Sequence, residues 1–132
     1  MADALKFDLV SPERRLLSAE VVHVVIPGTE GEMTVMANHA PVMTALRPGL
    51  VKVRHGNGQE DGFVVFGGFA DITSEGCTLL AEEAVRIADL DAEELDRRIA
   101  DAREDVADAK DDLARAQAEE QLAHLMTLKS CL

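Results

Sequence analysis

The chain has 132 residues with a formal net charge of −12, and 47% of its residues are apolar. This length is enough for one modest hydrophobic core, or for one core with a helical appendage. The negative charge argues against nucleic acid and anionic lipid as partners, because both are bound through lysine and arginine. A basic surface on another protein is the partner that this charge predicts.

The chain shows no pattern typical of a membrane span, a catalytic centre or a metal site. It contains no run of about 18 apolar residues, and its first residues lack the regions of a signal peptide. Cys77 and Cys131 lack metal-ligand spacing and are expected to be free thiols in a reducing compartment. The histidines are scattered, and no phosphate-binding loop or HExxH motif occurs. We therefore predict no catalytic, cofactor-binding or metal-binding residue.

Short strand patterns separated by turn signals fill the first part of the chain. The first pattern, residues 5–10, alternates apolar and polar side chains as a half-buried strand does. Alternating, β-branched or apolar patterns also cover residues 20–26, 50–54, 63–69 and 77–80. Many short strands at regular spacing predict an antiparallel β-sandwich or a flattened barrel. The adjacent Gly67 and Gly68 inside one pattern predict a bulge or a close backbone approach.

Residues 27–49 are rich in turn formers, with three of the four prolines and three of the nine glycines. Proline fixes φ and glycine supplies turns that other residues resist, so this stretch predicts a rigid surface. Two acids and one imidazole, Glu30, Glu32 and His39, lie in it. Its apolar residues are expected to be partly buried; they are Met33, Val35, Met36, Val42, Met43 and Leu46. We interpret the stretch as a docking surface.

The composition changes near residue 88, since every glycine and proline lies at or before Gly76. We place a domain boundary between residues 87 and 88, and predict helix beyond it, with Asp89 or Asp91 as the N-cap. The apolar residues of this segment form a heptad seam whose phase then slips by two. The seam comprises Leu95, Ile99, Ala102, Val106, Ala109, Leu113 and Ala116, and the second register begins at Ala118, Leu122 and Leu125. A single rod and a hairpin folded between residues 105 and 112 both fit this pattern.

The motifs of the chain, in their order, resemble those of the epsilon subunits of bacterial F-type ATP synthases. They are Val10-Ser11-Pro12-Glu13, Pro27-Gly28-Thr29-Glu30-Gly31-Glu32, His39-Ala40-Pro41, Leu46-Arg47-Pro48-Gly49, Gly67-Gly68-Phe69 and Asp89-Leu90-Asp91. The similarity covers almost the whole chain. It implies mixed β and α structure, with an N-terminal antiparallel β-sandwich of about ten strands followed by a C-terminal helical hairpin.

The resemblance also implies a role and partners. It implies a non-catalytic subunit of the central stalk, docked on the gamma subunit and the c-subunit ring at the cytoplasmic face of the inner membrane. Association with the membrane would then occur only through the complex. The subunit would clamp gamma to the ring, so that rotation reaches the catalytic head without slipping.

The resemblance assigns interface roles to particular residues. Glu32, in the motif Gly-x-x-Gly-Glu, matches an acid that lies against the polar loops of the c ring, and Glu30 and Gly31 belong to the same turn. A carboxylate there suits pairing with a basic side chain. The positions that match the gamma interface are Ser11, His39 and Thr44. A histidine in such a turn is equally compatible with a structural role.

Some members of the family are regulatory, since their helices extend beside gamma and block rotation or, when folded, bind ATP. Nucleotide-binding members have an Ile/Leu-Asp-x-x-Arg-Ala motif, whereas this chain has Leu90-Asp91-Ala92-Glu93-Glu94-Leu95. An acid where a triphosphate needs a cation is unfavourable. We therefore predict no ATP binding and weak or absent inhibition. The alternative is a regulatory or stand-alone module that binds ATP and inhibits hydrolysis, and contact of the helices with beta subunits is also left open.

Overall fold

The computed structural model describes residues 4–132, which form seven β-strands, one 3₁₀ turn and two α-helices. The strands are β1 (Leu5–Val10), β2 (Arg15–Gly28), β3 (Gly31–Met36), β4 (Val42–His55), β5 (Glu60–Ile72), β6 (Gly76–Ala81) and β7 (Ala84–Arg86). The 3₁₀ turn is Ile87–Asp89, and the helices are α1 (Ala92–Asp108) and α2 (Asp112–Ser130). The contacts divide the chain into two compact units between Ala88 and Asp89.

The strands of the first unit close into a flattened barrel. They are hydrogen-bonded in the order β1-β6-β5-β4-β2, and β1 also pairs with β2, which completes the ring. β3 extends the barrel wall from β2, and β7 extends it from β5. All of these pairs are antiparallel except β1 with β6, which are parallel. The predicted β-sandwich class is thus confirmed, with one parallel pair that the turn signals did not predict.

The expected number of about ten strands is wrong, because the described residues form seven. Three strands are unusually long, since β2 and β4 have 14 residues each and β5 has 13. β2 pairs with β1 along its first half and with β3 and β4 along its second half. β4 and β5 stay paired from Val42↔Ile72 to Arg54↔Glu60. Long strands that bend without losing their ladders replace several shorter ones.

The core of the barrel is made of inward-facing residues from every long strand. In β1, Leu5, Phe7 and Leu9 are fully buried, whereas the residues between them are exposed or half-buried. This alternation is the period of two that the sequence predicted. Cys77 belongs to the same core, and its burial, helped by the charge of Asp71, raises the pKa of its thiol to about 12. The thiol therefore stays neutral and unreactive at physiological pH.

Gly67 and Gly68 mark a close backbone approach, as their sequence predicted. Both have positive φ, +112° and +134°. A Cβ on Gly68 would lie 2.2 Å from the backbone oxygen of Leu80 and 2.8 Å from Cα of Ala81, both in β6. Only glycine lets β5 pass so close to β6.

The second unit is a helical hairpin rather than a rod. Asp91 caps α1 by accepting a hydrogen bond from the backbone N–H of Glu93 (2.9 Å), and Asp111 caps α2 by accepting one from Ala114 (2.7 Å). At the open end of the hairpin, Lys129 Nζ lies 2.6 Å from Asp96 Oδ1. The turn between the helices contains no glycine or proline, so the two capping aspartates replace them as stop and start signals.

The first register of the apolar seam runs across the turn of the hairpin, and its phase slip after Ala116 lies inside α2. Leu95, Ile99 and Ala102 of the seam are buried in α1, whereas Leu113, in the first turn of α2, is 70% exposed. Burial resumes in the second register, at Leu125 and Leu128 of α2. The buried residues of α1 therefore come from the first register, and those of α2 come from the second.

Removal of the cap of α2 is expected to weaken the hairpin measurably. In the variant Asp111→Ala the backbone N–H of Ala114 loses its acceptor, which costs about 1 kcal/mol of helix stability. Asp111→Asn is the matched control, because asparagine caps helices equally well. Hydrogen exchange of the first turn of α2, measured by NMR, should accelerate about fivefold in the alanine variant only. Equal rates in the two variants would show that this cap contributes nothing.

Candidate functional site

A groove of about 460 Å³ lies between the β2–β3 turn and the beginning of β4. Its lining is residues 28–33 on one side and residues 42–45 on the other. The predicted c-ring residues Glu30, Gly31 and Glu32 all line it, and so does Thr44, one of the predicted gamma residues. The groove therefore brings together four of the six predicted site residues.

The turn that forms one wall of the groove is fixed by backbone contacts to β4. The backbone N–H of Thr29 donates to the carbonyl of Ala45 (3.0 Å), and Arg47 Nε donates to the carbonyl of Gly28 (3.1 Å). Gly31 has a φ of +135°, which side-chain-bearing residues rarely adopt. A partner would meet a turn whose shape is set before binding, which lowers the entropy cost of association.

The rim of the groove is acidic, and its walls combine polar and apolar side chains. The side chains of Glu30 and Glu32 are exposed, and the part of the chain that the structure describes pairs neither carboxylate with a cation. Met33, Val42 and Met43 supply apolar surface beside them. A long apolar side chain that ends in a cation, such as lysine or arginine, fits this combination.

The expectation that the apolar residues of residues 27–49 are partly buried holds for some of them and fails for others. Val35 and Leu46 are buried in the core, and Met33 is half-buried. Met36, Val42 and Met43 are exposed, Met43 to 67%. The failure has a simple cause, since these three side chains lie on the outer face of the barrel wall or at its end.

An apolar row crosses the outer face of the barrel next to the groove. Ala45 of β4 pairs with Phe69 of β5, Phe69 with Leu80 of β6, and Leu80 with Val10 of β1. Residues paired in this way point to the same face. Phe69 is 54% exposed and Leu80 is 53% exposed. Contiguous exposed apolar side chains of this kind mark protein–protein contact surfaces.

The predicted gamma residues lie at three separate places. Ser11 directly follows Val10, at the end of the apolar row, and its hydroxyl donates to the carbonyl of Arg14 (3.2 Å). Thr44 pairs with the buried Ala70 and is half-buried. His39 lies in the connection between β3 and β4 outside the groove, where its Nδ1 donates to the carbonyl of Ala40 (2.7 Å). The structure thus places Ser11 at the end of the apolar row and Thr44 in the groove. His39 belongs to neither surface.

Sequence reasoning missed the apolar row itself. Phe69 and Leu80 lay inside segments predicted as apolar strands, and both were counted as ordinary strand residues. The signal was present as alternation, because Phe69 and Asp71 flank the buried Ala70. What the sequence did not provide is the register that sets Phe69 beside Leu80 and Ala45.

The described residues contain no group of three or more histidine, cysteine or acidic side chains placed to hold a metal ion. None of the helices formed by residues 92–130 is long and apolar enough to cross a membrane.

Residues 4–87, which include the whole barrel, match the family model described as the β-sandwich domain of the ATP synthase delta/epsilon chain. The fold and the matched residues together place the chain in the class of ATP synthase delta and epsilon chains. Full-length relatives narrow this class. The ATP synthase epsilon chain of Mesorhizobium japonicum is 61% identical over 132 residues, which is 100% of this chain and 98% of that relative. The epsilon chain of Chelativorans sp. is 57% identical with the same coverage.

The chain belongs to the ATP synthase epsilon-chain family, which confirms the resemblance that its motifs predicted. Family membership also confirms that it is a non-catalytic subunit. A chain in the Euglena gracilis mitochondrial ATP synthase (OSCP/F1/c-ring, rotational state 1) is similar in structure, with a TM-score of 0.78 and 28% identity. That match covers 97% of this chain and 81% of the other. A chain of the Tetrahymena thermophila mitochondrial ATP synthase shares the fold, with a TM-score of 0.66 and 14% identity.

Proposed function

We propose that this chain is a central-stalk subunit of a proton-translocating F-type ATP synthase, where it clamps the gamma subunit to the ring of c subunits. It makes and breaks no covalent bond. The observation that carries the proposal is the adjacency of two different surfaces on one stiff barrel. The apolar row and the acidic groove share the first residues of β4, with Ala45 belonging to both.

The apolar row is the surface proposed for gamma. Its central residues, Phe69 and Leu80, expose large apolar side chains to solvent, which burial in an interface would remove from water. Ser11 lies at one end of the row and Thr44 beside Ala45, so both are placed at the edge of the same contact. His39 is proposed as a more peripheral contact on the β3–β4 connection.

The acidic groove is the surface proposed for the polar loops of the c ring. Glu30 and Glu32 would each accept hydrogen bonds from a basic side chain, and Gly31 lets the turn present both acids. Rigidity matters because each proton that crosses the membrane provides about 2.3 kcal/mol per 100 mV. A packed barrel transmits that work as strain, whereas a flexible loop would absorb it.

The helical hairpin is proposed to have no nucleotide site. Glu94 takes the position at which nucleotide-binding members have arginine, and its carboxylate pairs with Arg97 and lies 3.5 Å from Arg98 Nε. A triphosphate would have to displace those pairs and face an acid. We also propose that inhibition by the hairpin is weak or absent, and that the chain is a peripheral subunit at the cytoplasmic face of the bacterial inner membrane.

The acidic groove can be tested by the affinity and salt dependence of c-ring binding. In the variant Glu30→Gln/Glu32→Gln, a complex of gamma with the full chain should bind purified c rings about tenfold more weakly. Added salt should weaken the wild-type complex more than the variant, because salt screens charge pairs.

Glu60→Gln is the matched control for this test, since Glu60 is an exposed acid at the far end of β4 and β5, paired with Arg54 (2.7 Å). It should bind like wild type. Equal affinity and equal salt dependence of all three proteins would refute a role for the acidic groove.

A further inference from the structure

The last strand of the barrel, β7, has only three residues and pairs with β5 alone. The chain leaves the barrel directly after it, through the 3₁₀ turn Ile87–Asp89, and α1 begins at Ala92. A three-residue ladder makes few hydrogen bonds, so the short strand needs side-chain contacts to stay in place.

Asp61 of β5 binds the end of β7 to the rest of the barrel. Its Oδ1 accepts a hydrogen bond from Arg86 Nη1 (3.2 Å), and its Oδ2 accepts one from His55 Nε2 (2.7 Å). The side chain of Asp61 is 33% exposed and that of His55 is 19% exposed. The Arg86 side chain is 43% exposed, so the contact differs from an isolated surface ion pair chiefly because Asp61 uses both carboxylate oxygens and is held in place by the more shielded His55.

The next two residues of β5 add apolar contacts to the same segment. The Arg86 guanidinium lies over the ring of Phe63, 4.9 Å from its centroid. Ile87 packs on Gly62, where an added Cβ would lie 2.5 Å from Ile87 Cδ1. Asp61 and Phe63 thus both contact the Arg86 guanidinium. Gly62, which lies between them, contacts Ile87.

We propose that residues 84–87 are a releasable strap, and that the Asp61–Arg86 contact is the anchor that decides whether it is docked on β5. The inference rests on contacts inside the barrel and is independent of the proposed docking on gamma and the c ring. Loss of the anchor frees the strap while the five-strand ring of the barrel remains closed.

Release of the strap changes the reach of the connection between the two units. With the strap docked, residues 88–91 connect it to α1 and span at most about 14 Å. With the strap free, residues 84–91 form the connection, because Glu82 and Glu83 stay hydrogen-bonded to Gly67 and Phe66, and the maximum span doubles to about 27 Å. The strap therefore sets the length of free chain between the barrel and α1.

The strap can be tested by residue-resolved hydrogen exchange on the full-length chain. In the variant Asp61→Asn, the side chain loses its negative charge and one of its two acceptor oxygens, so either Arg86 or His55 loses its hydrogen-bond acceptor. The amides of residues 84–87 should then exchange about tenfold faster than in wild type. Amides shared between β4 and β2 should keep their rates, because their exchange requires the ring to open. Glu60→Gln removes the neighbouring acid, which pairs with Arg54 of β4 and not with the strap, and should leave all rates unchanged.

A second variant tests whether Asp61 and Arg86 hold the strap through their contact with each other. Arg86→Gln should accelerate exchange in residues 84–87 to a similar degree, and the double variant Asp61→Asn/Arg86→Gln should be no faster than the faster single variant. The proposal is overturned if Asp61→Asn changes strap exchange by less than twofold. It is equally overturned if exchange of the β4 amides accelerates as much as exchange of the strap amides. The same holds if the double variant accelerates strap exchange by the product of the two single effects.

Discussion

Replacement of Gly68 by alanine is expected to unfold most of the barrel at room temperature in moderate urea. The new Cβ would lie 2.2 Å from the backbone oxygen of Leu80, and that atom belongs to β6, which is held on both sides by β1 and β5. β6 therefore has no room to retreat. The residue would also be forced to a φ of +134°, which alanine rarely adopts. We expect a loss of about 4 kcal/mol in the free energy of unfolding.

Gly31→Ala is the matched control for this substitution. Gly31 has nearly the same φ, +135°, but an added Cβ would meet no atom within 4 Å. It therefore isolates the backbone strain, which costs about 1–2 kcal/mol. Urea unfolding followed by circular dichroism gives both values. If Gly68→Ala costs no more than Gly31→Ala, the close approach of β5 and β6 is not what requires glycine.

The double variant Phe69→Asp/Leu80→Asp is expected to abolish binding to the gamma subunit while leaving the barrel folded. Both side chains are more than half exposed, so the substitution removes little from the core. At an interface it would remove two large apolar contacts and bury two unpaired carboxylates. Each of these effects costs several kcal/mol. We expect the dissociation constant for gamma, measured by calorimetry, to rise at least about 100-fold.

A matched control for the apolar row is Leu113→Asp, because Leu113 is also a large exposed residue, at 70%, but lies on α2. It should bind gamma as tightly as wild type. Urea unfolding of both variants should match wild type within about 1 kcal/mol. Wild-type affinity of the Phe69→Asp/Leu80→Asp variant would place the gamma contact elsewhere on the chain.

Local sequence patterns predicted the elements whose structure is decided locally. The alternation of residues 5–10 became β1, because a period of two needs only a strand with one buried face. The phase slip after Ala116 separated the buried residues of α1 from those of α2, although the turn between the helices lies earlier, at residues 109–111. Asp89 and Asp91 were named as possible N-caps of the first helix, and Asp91 caps it. The choice between rod and hairpin needed tertiary contacts such as Lys129 with Asp96.

Features that depend on long-range register were not predictable from one sequence. The count of about ten strands, which the resemblance implied, is wrong because β2, β4 and β5 each continue as one long strand. The parallel pairing of β1 with β6 joins segments about 70 residues apart, and no local signal encodes it. The apolar row needs four strands in register, so its residues could be found only once the barrel was assembled.

The candidate groove also has one part that was predictable from local sequence and one part that was not. The acids Glu30 and Glu32 were visible as a charged turn between glycines, and their exposure follows from that turn. The apolar wall of the groove was not visible, since Met43 was expected to be partly buried and is instead 67% exposed. A methionine at the end of a strand is buried or exposed according to what lies beside it in space. That information is absent from local periodicity.

The most direct measurement of the central claim is proton-driven ATP synthesis by membranes depleted of this subunit and reconstituted with added chain. Wild-type chain should restore synthesis to the rate of the intact complex. The Phe69→Asp/Leu80→Asp variant, folded but unable to hold gamma, should restore less than about one tenth of it. Depleted membranes that synthesise ATP at the full rate, or full recovery with this variant, would contradict a clamp built on the apolar row.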